Sequence, residues 1–390
     1  MKRIAVSILC ATLALLTGCR TLSQSQAKTA YQRNTTADIP FETGRLENRF
    51  LVVEYAPAML GRVSQVSVKQ SNGQPAIPLL APLKVTRYTE TPLFEMDRDN
   101  SCGIREMFWS RSINGISSME VKERTSNQVV LTSRFYGNSW FGAERSISLL
   151  SEGLGLEITA CFVNHDSQTA QIAPWLNLIG NAPATPVLPS RGSGEVRGKG
   201  SQDWHTRDFL FTGQKGNSFL PPAQNWCGCR LTEQDVVWVI TFAPEDFTPD
   251  GFFYSWGSPD GIAPVIRTLE AIFPNHILAP NEKYTIKYKL LAFPGLQHIN
   301  SLCGTTALEL RHAGTSWEAR LVSAMPQTQP CQMTIALQDA EGKTIAQESR
   351  ELPQSMAGKL VTIPLTVKGA PVTGTLSLGD TQAKILFEIQ

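Results

Sequence analysis

The chain has 390 residues, 42% of them hydrophobic, and its 35 basic side chains nearly balance 34 acidic ones. With no basic stripe and no long charge run, nothing in it suits a nucleic-acid surface. The length exceeds one typical domain and the apolar content suffices for one large core and a smaller one, so two domains are expected.

The chain starts with an address. Lys2 and Arg3 precede an apolar run, Ile4 to Leu16, that is too short to span a bilayer as a helix. Leu16-Thr17-Gly18-Cys19 follows and resembles the lipobox of bacterial lipoproteins. The resemblance implies a signal peptide over 1–18, lipid on Cys19 and a place in the cell envelope. Arg20 after the cysteine, rather than an acidic residue, points to the outer membrane. No later run is long and apolar enough to span, so attachment is expected through acyl chains. Residues 19–45 are poor in large apolar groups and read as a flexible tether.

Of eight cysteines, Cys10 leaves with the signal and Cys19 is lipidated. Cys102, Cys161, Cys227, Cys229, Cys303 and Cys331 remain, an even number in an exported chain, where disulfides persist. Cys303 and Cys331 bracket the start of the last domain and are the preferred pair. Cys227-Gly228-Cys229 has no second Cys or His cluster at zinc spacing, so structural thiols or disulfide partners are expected there, and no metal or cofactor.

From residue 46 the chain reads as β. Runs such as 49–56, 62–69, 83–90, 119–125, 128–136, 154–164, 170–179, 235–243, 264–273 and 283–293 are rich in β-branched and alternating apolar residues, with Gly, Pro, Asn and Ser between them. No segment holds a helical period. The expected fold class is all-β: a large antiparallel supersandwich over 46–300, with no obvious internal repeat. After Ser301 shorter alternating strands recur every ten to fifteen residues or so, the rhythm of a small immunoglobulin-like sandwich over 301–390. It holds no catalytic constellation, and a spacer or docking role is expected.

Three stretches together are similar to the galactose mutarotase-like family, which includes the aldose epimerases. They are the order apolar strand, Gly61-Arg62-Val63, apolar strand; AQIAPWLNLI (170–179); and LEAIFPNHILAPNEKYTIKYKLLAF (269–293). The resemblance implies that Leu269-Glu270 supplies a general base, followed by the Pro274-Asn275 bend and the Pro280-Asn281-Glu282 turn into the last strand. It places Pro174, Trp175, Asn177 and Leu178 on the strand that carries the family's general-acid histidine, whose position holds Ala173 here. SCGIREMFW (101–109) falls where the family has a Gly-rich, substrate-facing loop, with Gly103, Arg105 and Trp109 as counterparts. Interconverting anomers needs a proton taken from the anomeric hydroxyl and one given to the ring oxygen, so a base without its acid has lost half the chemistry.

Of five histidines, His205 is the best replacement, because DWHTRDF (203–209) gathers Trp204, His205 and Arg207 with Asp203 and Asp208. An aromatic platform beside forked polar groups suits a sugar. His165 reads as a turn residue and His276 as structural. Among eight tryptophans, two or three of Trp109, Trp175, Trp204 and Trp256 are expected to face a cleft, and most of the others to fill core. The expected partners are a mono- or oligosaccharide and, through Cys19, the membrane. Three readings follow: a carbohydrate-binding lipoprotein without efficient mutarotation; a sugar-active enzyme, epimerase, lyase or hydrolase, with Glu270 as base and a relocated acid such as His205 or Arg105; and a structural envelope protein.

Overall fold

The computed structural model describes residues 35–38, 41–70, 73–81, 86–88, 103–108, 118–135, 141–172, 174–178, 184–187, 189, 196–198, 204–205, 216–220, 224–231, 233–247, 251–257, 267–313 and 316–387. Among them the chain is all β, apart from a 3-10 turn at Pro57–Met59 and one helical turn at Pro244–Phe247. No helix among the described residues is long and apolar enough to cross a membrane.

Alternation sets the strands. In Gly155–Asn164, Leu156, Ile158, Ala160 and Phe162 are buried while the residues between them are half-exposed. This strand forms the middle of an eight-stranded antiparallel sheet with Lys283–Pro294 on one side and Phe141–Leu149 on the other. Beyond these lie Val236–Phe242, Trp226–Leu231 and Ala184–Val187 on one flank, and Gln128–Ser133 and Glu120–Arg124 on the other. A seven-stranded antiparallel sheet has the order Trp204–His205, Val196–Gly198, Gly216–Leu220, Phe252–Gly257, Arg267–Ile272, Pro174–Leu178, Arg105–Phe108.

A four-stranded sheet, Gly44–Glu47, Leu51–Ala56, Arg62–Val68 and Ile77–Pro78, meets the edge of the seven-stranded one through a bridge. Val63 N–H donates to Ile104 O at 3.1 Å and Ile104 N–H to Val63 O at 2.8 Å. Gly103 makes the approach possible: its φ is +81° and a Cβ there would stand 2.4 Å from Val63 O, which no other residue tolerates.

After residue 300 two four-stranded sheets form a smaller sandwich. One holds Ser301–Cys303, Thr306–Ala313, Ser316–Ser323 and Leu360–Leu365, the other Thr344–Leu352, Cys331–Gln338, Thr373–Leu378 and Thr381–Leu386. Leu308, Met333, Ile335, Leu337, Ile363 and Leu376 fill it. Ala307, Val322, Ala324 and Ala357 belong instead to the main core, and Leu154 N–H donates to Ala324 O at 2.7 Å, so the two cores abut.

Three local expectations change. The run 170–179 is not one strand: Ala170–Ile172 pairs with His276–Leu278 in a separate ribbon, and Pro174–Leu178 enters the seven-stranded sheet. Residues 105–108, expected in a loop, are that sheet's edge strand. Phe141–Leu149, which falls between the runs read as β, is a nine-residue strand.

Cys161, Cys227, Cys229, Cys303 and Cys331 are free thiols here, the preferred pair included, and Cys102 lies outside the described residues. Cys227 and Cys229 are buried on a strand whose Gly228 sits against its neighbour: a Cβ there would stand 2.0 Å from Trp238 O. Burial, with Cys229 beside it, pushes the Cys227 thiol well up. No group of three or more His, Cys, Asp or Glu that could hold a metal occurs among the described residues.

Candidate functional site

The site is built by register. Asn177 lies opposite Arg105 on one side and Glu270 on the other. Directly opposed side chains in antiparallel strands share a face, with Cβ atoms roughly 5 Å apart. A guanidinium, an amide and a carboxylate therefore stand in one row over three adjacent strands. Asn177 Nδ2 donates to Glu270 Oε1 at 2.9 Å. Asn177 Oδ1 accepts no hydrogen bond from the described residues. Arg105, Asn177 and Glu270 are 2%, 3% and 3% exposed. Charged groups this deep are tolerated only when bonded, and the low dielectric strengthens each such bond. Trp175, two residues before Asn177 and half-buried, flanks the row opposite Ile272 and Met107.

The neighbouring row faces the other way. Leu176 lies opposite Glu106 and Ala271, and Ala271 opposite Phe253. Glu106 crosses to the eight-stranded sheet: its carboxylate is ion-paired with Arg145, and Tyr288 Oη donates to Glu106 Oε1 at 2.6 Å. By alternation the Arg105–Asn177–Glu270 row is turned away from that inter-sheet layer. Arg145 also donates through Nη1 to Leu60 O at 2.9 Å. Burial pushes its guanidinium down to about 10, Tyr288 opposing this and the Arg105 charge adding to it. Nothing in composition or spacing singled out Glu106 and Tyr288, because only the packing of the two sheets brings them to Arg145.

The Asn177 row continues in backbone register from Glu270 to Tyr254, Phe219, Arg197 and Trp204. Four of the residues picked from the sequence, Arg105, Asn177, Glu270 and Trp204, thus share one register line across seven strands. Trp256 pairs with Thr268 and Asn217, two positions along from Tyr254. Phe219 and Arg197 carried no sequence signal, since strand pairing alone puts them there.

His205 pairs with Val196, one position out of the line, and its strand is four spacings from that of Glu270. At roughly 4.8 Å per strand this is roughly 19 Å between backbones, more than a sugar ring spans. The register therefore places His205 out of reach as the proton donor to a ring held at Glu270, and the cation it brings near Glu270 is Arg105. For Arg197, Trp204, His205, Phe219, Tyr254 and Trp256 the backbone alone is described; Trp109, Ala173, Arg207 and Cys19 lie outside the described residues.

A second polar group sits at one end of the eight-stranded sheet. The His276 ring lies over Tyr284, centroids 4.1 Å apart at 32°. Burial holds the His276 imidazole below its ordinary value, opposed by the Asp246 charge; burial, then that same charge, pushes Tyr284 up. Asp246 is itself raised by burial and then by Glu245, with Lys287 and His276 opposing. Since the fold prefers neutral His276, the unfolded chain takes its proton first as pH falls. Stability should drop from pH about 6.5 down through the lowered value. His276→Phe keeps the ring contact and removes this part of the acid sensitivity. Urea midpoints at pH 7.5 and pH 5 should differ less in H276F than in wild type; an equal loss would show that His276 does not contribute.

No protein-family model matches the sequence, and no curated protein matches it. Solved structures with a similar backbone include a galactose mutarotase-like protein from Clostridium acetobutylicum, 13% identical, with TM-score 0.46 over 68% of this chain and 99% of that one. Another, from Lactobacillus casei, is 12% identical with TM-score 0.45 over 64% and 100%. A galactose mutarotase related enzyme from Lactobacillus acidophilus is 9% identical with TM-score 0.44 over 66% and 99%. Likeness at this level assigns no residue a role.

Proposed function

We propose that this protein is a lipid-anchored envelope protein that binds carbohydrate at the face of its seven-stranded sheet that carries Arg105, Asn177 and Glu270, without efficient mutarotation. The observation that carries the reading is the buried row Arg105–Asn177–Glu270, with its Asn177–Glu270 hydrogen bond of 2.9 Å. A carboxylate, an amide and a forked guanidinium in one row over three adjacent strands are the groups that hold vicinal hydroxyls by charge-assisted bonds. Trp175 beside them supplies the aromatic character that sugar faces favour.

The absence of efficient turnover rests on proton inventory. Glu270 suits the base, but Ala173 stands where the resembling family has its acid, and His205 is four strands away. Arg105 stays protonated at neutral pH and is a poor proton donor, though a good hydrogen-bond donor. The lipid anchor rests on the Leu16–Cys19 motif. Replacing Cys19 with Ser is expected to move the protein from the membrane to the soluble fraction on cell lysis; an unchanged distribution would remove the anchor.

The binding reading is tested by calorimetry and thermal shift of the protein lacking residues 1–19 against a panel of mono- and oligosaccharides. Saturable heat with at least one is expected, and silence across the panel overturns it. Polarimetry on freshly dissolved aldoses separates binder from epimerase: an enzyme-dependent acceleration abolished in Glu270→Gln would replace the non-catalytic reading with the catalytic one.

A further inference from the structure

We propose that Cys303 and Cys331 are a redox-competent pair that closes to a disulfide and cross-links the two sheets of the C-terminal sandwich. Cys303 ends the strand Ser301–Cys303 in one sheet, and Cys331 begins Cys331–Gln338 in the other. Both line one cleft of about 380 Å³, with Pro330, Leu378 and Thr381 around them. Their sulfurs also meet adjacent residues of a single turn. The Leu378 backbone hydrogen-bonds the Cys303 thiol, while the Cβ position of Gly379 lies 3.8 Å from Cys331 Sγ.

Both cysteines stand at strand ends, so a backbone shift into disulfide geometry disturbs only the terminal pair of a ladder, Cys303 with Thr306 or Cys331 with Leu352. Cys303 runs into a turn at Gly304, whose φ is +60°. Cys331 follows the stretch Pro326 to Pro330 that forms the cleft wall. The two thiols sense each other electrostatically: burial first, and the nearby Cys331 last, hold Cys303 above its ordinary range. Cys227 and Cys229 contrast with this. They project from the same face of one continuous strand, where neither end is free to move.

The oxidant is a low-molecular-weight or protein disulfide. Cys331, the more exposed of the two, attacks one of its sulfurs as the thiolate, forming a mixed disulfide and releasing one thiol. The Cys303 thiolate then attacks Cys331 Sγ and expels the second thiol. The two protein thiols give up two electrons and two protons, and both appear on the two thiols released.

The full chain is incubated undenatured with oxidised glutathione, alkylated, digested and analysed by mass spectrometry. A linked peptide joining Cys303 to Cys331 is expected, with two fewer titratable thiols. The thermal midpoint should rise by about 5 °C or more, as for closing a loop of roughly 30 residues, and return on adding dithiothreitol. Cys331→Ser, at a half-exposed position, should fold normally yet show neither the link nor the rise. Separate glutathione adducts on the two residues, two unmodified thiols, or a link from either to another cysteine would each overturn the proposal.

Discussion

Glu106→Ala is expected to destabilise the protein by about 3–5 kcal/mol, the cost of leaving a buried charge without its partner. Glu106 is fully buried between the two large sheets, ion-paired with Arg145 and bonded by Tyr288 Oη at 2.6 Å. Removing it takes this ion pair from the Arg145 guanidinium, 2% exposed, whose bond to the Leu60 carbonyl remains. Burial already works against that charge, which shows in its lowered proton affinity. Domains are stable by only about 5–15 kcal/mol, so a loss of this size removes a large share of the folding free energy. Urea denaturation followed by tryptophan fluorescence measures this. The double variant Glu106→Leu, Arg145→Met removes both charges and should recover most of the loss, because an apolar pair of similar volume restores the layer without desolvated charge. A single variant within about 1 kcal/mol of wild type would show that water reaches the cluster.

If the proposed carbohydrate site is the Arg105–Asn177–Glu270 row, Asn177→Ala should weaken sugar binding by about 10–100-fold, the usual worth of a hydrogen bond to a charged group. Its amide donates to Glu270 Oε1 and stands between that carboxylate and Arg105, so its removal loosens the orientation of both. Glu270→Gln separates charge from shape. If Glu270 acts as a charged acceptor for hydroxyls, the isosteric amide should cost a comparable factor; if it only braces Asn177, affinity should barely change while the thermal midpoint falls. Calorimetric affinity read beside the unliganded thermal midpoint tells these apart. Binding unchanged in both variants would move the ligand away from this row.

Much of the architecture was legible because strand alternation is a local property. Gly155–Asn164 alternates over nearly its whole length and Lys283–Pro294 over its first eight residues, so both could be placed from sequence. The strand Phe141–Leu149 lies outside the runs that read as β because Arg145 interrupts its apolar face, yet Arg145 is a core residue held by a partner from the facing sheet. Pro174 cut an apparently single strand in two, each half joining a different sheet. Arg105 is expected in a loop because SCGIREMFW falls where the resembling family has its Gly-rich, substrate-facing loop, with Gly103 as a counterpart. That glycine instead permits the tight bridge to Val63 that anchors an edge strand.

What the sequence determined by itself was the all-β class, most strand positions, and a short set of polar and aromatic candidates that included Arg105, Asn177 and Glu270. These follow from side-chain period and residue chemistry, which each segment carries alone. Only the tertiary structure decided which candidates share a place. Pairing register is a long-range choice, and one residue of slip would turn Glu270 into the inter-sheet layer and Ala271 out of it. That register lines Arg105, Asn177 and Glu270 into one row, leaves His205 four strands away, and sets Glu106 against Arg145 on the opposite face.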